Sequence, residues 1–169
     1  MSRKVAYCGI LVALAMIFSY VEALIPVNFG VPGMKLGIAN LVVVTGFYFL
    51  KPQEVLMVSF IRILLMGFMF GNGMSLIYSI SGGLLSFGVM YLIKKTGGFS
   101  IIGMSIAGGI GHNVGQILAA VWMVQNINLI YYLPALLVAG AVTGTWIGIL
   151  SQRILSAIKS GSRMANVQN

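Results

Sequence analysis

Apolar runs broken by single charges, prolines or Gly/Asn clusters divide the chain into six segments, and this alternation is its dominant pattern. The runs predict helices over residues 5–25, 36–50, 54–70, 74–93, 100–124 and 128–150. About 20 apolar residues at a 1.5 Å rise cross the hydrocarbon layer of a bilayer, so the pattern predicts an all-α, six-helix transmembrane bundle forming a single domain over residues 1–169. The run 36–50 is short for a crossing and is expected to begin below the outer surface, with the preceding loop folded back over the protein. Arg3 and Lys4 before an apolar stretch resemble a secretory signal, but the run continues to Ile25 and reads as a retained first helix. Residues 160–169 read as a disordered tail.

Composition agrees with lipid as the main solvent. Of 169 residues, 59% are hydrophobic and 7% charged, and mean hydropathy is +1.02. A soluble domain carries about a quarter of its residues charged. Ten basic residues against two acidic ones, Glu22 and Glu54, give a net charge of +8. Nucleic acid is excluded as a partner by where the charges fall, singly or in pairs between apolar runs. With six crossings, Arg3, Lys4, Lys51, Lys94, Lys95, Arg153, Lys159 and Arg163 all lie on one side. The positive-inside rule makes that side cytoplasmic and places both termini there. The opposite loops carry one charge, Lys35.

Small residues recur at every fourth position in two helices: Gly140, Gly144 and Gly148 in the sixth, and Gly9/Ala13 with Ala15/Ser19/Ala23 in the first. Such stripes serve either internal packing or docking of a membrane partner.

Polar groups inside lipid cost several kcal/mol unless paired or hydrated, so they carry the functional information. Arg62 lies eight residues after Glu54, roughly 12 Å into the membrane. His112, Asn113 and Gln116 fall near mid-depth of the fifth helix, among the glycines of GGIGHNVG. Glu22, Lys35, Asn40 and Asn72 lie nearer the outside. Together these eight predict a ligand cavity opening outward, and an arginine beside an imidazole favours an anionic or strongly hydrogen-bonding molecule. A bland alternative exists for each: Arg62 as counter-ion to Glu22, His112 and the amides as helix glue, Lys35 as an interface anchor.

Enzyme chemistry is not expected. The chain has no aspartate and no P-loop, and neither a nucleophile elbow nor a multi-carboxylate motif. One histidine, one cysteine (Cys8) and two distant glutamates predict no metal site. No tightly bound cofactor is expected.

The segment EALIPVNFGVPGMKLGIAN, residues 22–40, resembles the signature of a bacterial membrane family named heptaprenyl diphosphate synthase component I, also called the Gx transporter family. Its matching positions are Glu22, Ile25, Pro26, Pro32, Gly33, Lys35, Leu36, Gly37, Ala39 and Asn40, and the run from Gly108 to Gln116 fits as well. The family is similar to the substrate-binding S components of energy-coupling factor vitamin transporters. That likeness implies a multi-pass protein of the bacterial cytoplasmic membrane that captures a vitamin-like molecule from outside, beneath the loop joining helices one and two. It also implies a transmembrane partner subunit with ATPases, docked on the small-residue face of the first helix. Residues 26–35, with Pro26, Gly30, Pro32 and Gly33, would then form a lid. The family's other name implies a different role, an accessory subunit in prenyl diphosphate or quinone synthesis or in flavin- or quinone-linked electron transfer. Without aspartate to hold Mg²⁺ and diphosphate, that role would be non-catalytic.

Overall fold

The computed structural model describes residues 2–24, 35 and 37–167, with side chains for 5–24, 35 and 37–160. Of the predicted lid, residues 26–34, with Pro26, Gly30, Pro32 and Gly33, lie outside the described residues, and Lys35 is within them. The chain folds into helices α1 (Ser2–Leu24), α2 (Asn40–Gly46), α3 (Pro52–Phe70), α4 (Gly73–Thr96), α5 (Ile101–Val124) and α6 (Leu133–Val167). A 3-10 segment, Ile127–Tyr132, leads into α6. No strand occurs among the described residues.

Local chemistry sets the helix starts. Pro52 opens α3, where its missing N–H costs nothing, and Glu54 accepts the Lys51 N–H at 2.9 Å. Asn72 caps α4 by accepting Ser75 N–H at 2.8 Å, and Ser100 caps α5 by accepting Gly103 N–H at 3.1 Å.

The bundle's outer surface is apolar, with Ile17, Phe68, Trp122 and Trp146 all exposed. In water such a surface would associate; in lipid it is the solvated face. Four stretches are long and apolar enough to cross a membrane: Val5–Leu24, Pro52–Phe70, Gly73–Thr96 and Ile127–Ser160. The protein is therefore a multi-pass membrane protein. The 24 residues of α5 have the length as well, but His112, Asn113 and Gln116 dilute their apolar character.

The segment predicted as a second crossing, 36–50, is different. Its helix has only seven residues, every one of them buried, and it ends in turns through Phe47–Leu50. A helix that is apolar on all sides belongs inside protein as readily as inside lipid. Here protein surrounds it: Val42 packs against Ala15 of α1 and Val58 of α3, while Val44 joins Val55, Met90 and Met104. Eleven residues from Asn40 to Leu50 cover about 16 Å if helical, half a hydrocarbon layer.

Glycine lets α5 sit at the centre. A Cβ on Gly115 would lie 2.6 Å from the Ser81 carbonyl oxygen of α4, and one on Gly144 would lie 2.7 Å from Ile106 Cα. Gly140 faces Gly109, backbone against backbone, and Gly148 faces Ile102. The glycine stripe of α6 is thus spent on packing against α5.

Residues expected to form a disordered tail continue α6 as far as Val167. No proline interrupts the 35-residue helix after its first turn, and a formed helix extends at little cost. At about 52 Å it is longer than a bilayer core and projects beyond it.

Candidate functional site

Two apolar clusters occupy the ends of the bundle, one around Val44, Phe47, Met90 and Met104 and the other around Tyr78, Ile117 and Leu136. Between them lies a polar layer. On α4 the sequence passes from Tyr78 through Gly82 and Ser86 to Met90, and on α5 from Met104 through His112 and Gln116 to Ala120, so each helix is apolar, polar, then apolar.

Glu22, Asn40, Arg62, His112, Asn113 and Gln116 are all buried. The Glu22 carboxylate accepts the Gly37 N–H, which fastens the approach to α2 to the end of α1. One turn earlier on α1, the Ser19 hydroxyl accepts from the Arg62 guanidinium at 2.9 Å. Glu22 and Arg62 lie within electrostatic reach of each other, yet no hydrogen bond joins them among the described residues. Each charged group spends its hydrogen bonds elsewhere, which argues against a self-contained buried ion pair.

Lys35 N–H donates to Gln116 Oε1 at 3.2 Å. With that oxygen engaged, the Gln116 amide nitrogen donates to His112 Nε2 at 2.9 Å. The neutral imidazole then carries its proton on Nδ1. Burial pulls the Lys35 ammonium below the ordinary lysine range, and nearby Glu22 offsets part of that. Gly37 has φ = 83° and sits so close to the layer that a Cβ would come within 3.0 Å of Asn40 Nδ2 and 3.1 Å of His112 Cδ2. Only glycine combines that backbone with that space. Gly82, with ordinary helical backbone, makes a similarly close approach from α4, lying against His112 and the Gln116 side chain. Asn40 reaches Ser86 at 3.5 Å.

Hydrogen-bonding capacity remains unused in this layer. Among the described residues, the buried Arg62 Nε and His112 Nδ1, both of them donors, make no hydrogen bond within normal distance, although the Gly82 backbone lies against the imidazole. Arg62 and Lys35 are both within electrostatic reach of His112. Two open donors and two cationic groups suit a molecule rich in acceptor oxygens.

Not every predicted site residue joins the layer. Asn113 turns toward α6, where its amide donates to the Leu136 carbonyl at 2.7 Å; its oxygen has no partner among the described residues. Asn72 is exposed at the start of α4 and works as a cap. The docking stripe of α1 divides in two. Gly9, Ala13 and Ala23 are exposed, whereas Ala15 packs inward on Val42 and Val58, and Ser19 holds Arg62. Ala15 and Ser19 are therefore not available to a partner. Sequence reasoning did not assign Ser19, Gly37, Gly82 or Ser86 to the layer. Gly37 had a signal, a glycine between two polar candidates; Ser86 had none.

Neither the curated proteins nor the solved structures include a match to this chain. The family model described as heptaprenyl diphosphate synthase component I matches residues 11–154, and the chain belongs to that family.

Proposed function

We propose that the protein is a membrane substrate-binding subunit that takes a small, acceptor-rich or anionic molecule from the outer side into the polar layer between α1, α3, α4 and α5. In this reading the basic ends of the helices face the cytoplasm, α2 completes six helical segments as a half-crossing, and uptake depends on a transmembrane partner with ATPases. Arg62, His112, Gln116, Glu22, Lys35 and Asn40 line or support the site; Asn113 and Asn72 contribute structure. The observation that carries the reading is Arg62: buried inside the bundle, bonded to Ser19, with no partner for Nε among the described residues. An intramembrane arginine is expensive and marks ligand or ion pathways far more often than packing.

A non-catalytic accessory role beside a prenyl diphosphate synthase is the second reading, favoured by the family's description. Mass spectrometry of small molecules released from purified protein separates the two. A polar or anionic molecule recovered from the wild type and reduced at least tenfold in Arg62→Ala is the expected result, since a hydrogen bond to a charged group contributes about 1.5–3 kcal/mol. Equal recovery from both proteins removes Arg62 from the site and the uptake reading with it; recovery of a prenyl diphosphate alone selects the accessory role.

A further inference from the structure

A cleft of about 420 Å³ opens at the basic end of the bundle, away from the polar layer, between α1, α2 with its following turn, and the turns of α6 around Ile154 and Ile158. Its walls are apolar, among them Ile10 and Leu14 of α1, Phe49 after α2, and Ile154 and Ile158 of α6. Thr45 brings a hydroxyl, but that group already donates to the carbonyls of Leu41 and Val42, at 2.8 and 3.2 Å. Apart from the Tyr7 phenol at one end of the α1 wall, nothing in these walls can recognise a polar solute, so the body of any occupant is a hydrocarbon.

Depth narrows the choice. The α1 wall runs from Tyr7 to Phe18, about 16 Å at helical rise, which matches the roughly 15 Å hydrocarbon depth of one leaflet. An acyl chain entering from that leaflet has this reach. Charge then selects the headgroup. Lys51 directly follows Leu50 and Arg153 directly precedes Ile154, both lining residues, and both cations are exposed. Basic residues at the cytoplasmic surface attract anionic lipid at about a fivefold gain each.

We infer that this cleft holds one acyl chain of an anionic phospholipid from the cytoplasmic leaflet, its headgroup at Lys51 and Arg153. The inference rests on the orientation proposed above. It is independent of the ligand in the polar layer, because no residue of the cleft belongs to that layer.

The test reconstitutes the protein with equal amounts of phosphatidylglycerol and phosphatidylcholine, strips loose lipid with mild detergent, and counts retained lipid by native mass spectrometry. Wild type is expected to keep phosphatidylglycerol in at least fivefold excess over phosphatidylcholine. The pair Leu14→Trp and Ile154→Trp, which fills the cleft, is expected to lose retained lipid at least fivefold. Lys51→Gln with Arg153→Gln leaves the cleft open and is expected to erase the preference for the anionic lipid. Helix content and melting in detergent report whether the tryptophan pair folds; if it does not, the charge pair decides alone. Equal retention of the two lipids by wild type, undiminished retention by a folded tryptophan pair, an unchanged preference in the charge pair, or a stoichiometric polypeptide cross-linked at position 10 overturns the inference. Loss of the polar ligand in Arg62→Ala with lipid retention unchanged keeps the two sites separate.

Discussion

Gly109→Leu is expected to leave no stable bundle. Gly109 of α5 meets the Gly140 carbonyl of α6 so closely that even a methyl group would collide with backbone, and Gly144 Cα lies 3.4 Å from the same position. Side chains can turn away from an intruder, but backbone cannot without moving a helix. Overpacking a core usually costs about 1–3 kcal/mol. A leucine here would exceed that range, because it would push α6 off α5 along the whole stripe of Gly140, Gly144 and Gly148. Membrane helices lack a hydrophobic force to re-associate them and rely on close contact. Gly88→Leu is the control, since a Cβ there meets nothing within 4 Å. Size-exclusion profiles and thermal melting in mild detergent are expected to show an aggregated or early-melting Gly109→Leu and a nearly unchanged Gly88→Leu. A Gly109→Leu protein melting with the wild type would mean that α5 and α6 do not pack as described.

Glu22→Ala carries the second large effect. The carboxylate holds the Gly37 N–H, and it is the acidic neighbour of Arg62 and Lys35. Its removal breaks that charge-assisted hydrogen bond and leaves a buried arginine without its neighbouring counter-charge. Removing one partner of a buried charge pair costs about 3–5 kcal/mol, chiefly through the charge left behind. Glu22→Gln keeps an acceptor for Gly37 and loses only the charge, so it is expected to destabilise about half as much as the alanine. The cycle gives the sharper sign: Glu22→Gln with Arg62→Met is expected to be more stable than Glu22→Gln alone, because the stranded cation has gone. Melting temperatures of the single and double variants check this, and simple additivity would show that the two charges do not sense one another.

The long helices were readable because length and apolar content suffice to define a membrane crossing. What an apolar run does not disclose is whether lipid or protein surrounds it, and α2 turns on that difference: LVVVTGF has the hydropathy of a crossing yet lies wholly inside the bundle. The polar layer was legible for the same reason in reverse, since Arg62, His112 and Gln116 have few places to go except inward. Asn72 misled because an amide near the outer end suits a ligand and a helix cap equally; Ser75, three residues on, was the available sign of a cap. Ser19 was read as a small residue for docking, while its role depends on a long-range partner, Arg62, 43 positions away. The stripe on α6 was compatible with two uses, and only the opposing glycine of α5 decides between them.

Whether those polar side chains surround a space that molecules reach from outside is tested most directly by thiol accessibility. In a Cys8→Ala background, Ser19→Cys places one thiol beside the Arg62 guanidinium, which favours the reactive thiolate. Phe68→Cys, at a position 80% exposed on the lipid-facing surface, serves as the comparison. A membrane-impermeant anionic methanethiosulfonate added to the outer side of intact cells is expected to modify Ser19→Cys and spare Phe68→Cys. If Ser19→Cys is as inert as Phe68→Cys until the protein is denatured, Arg62 and its neighbours form a sealed structural knot, and no ligand enters there.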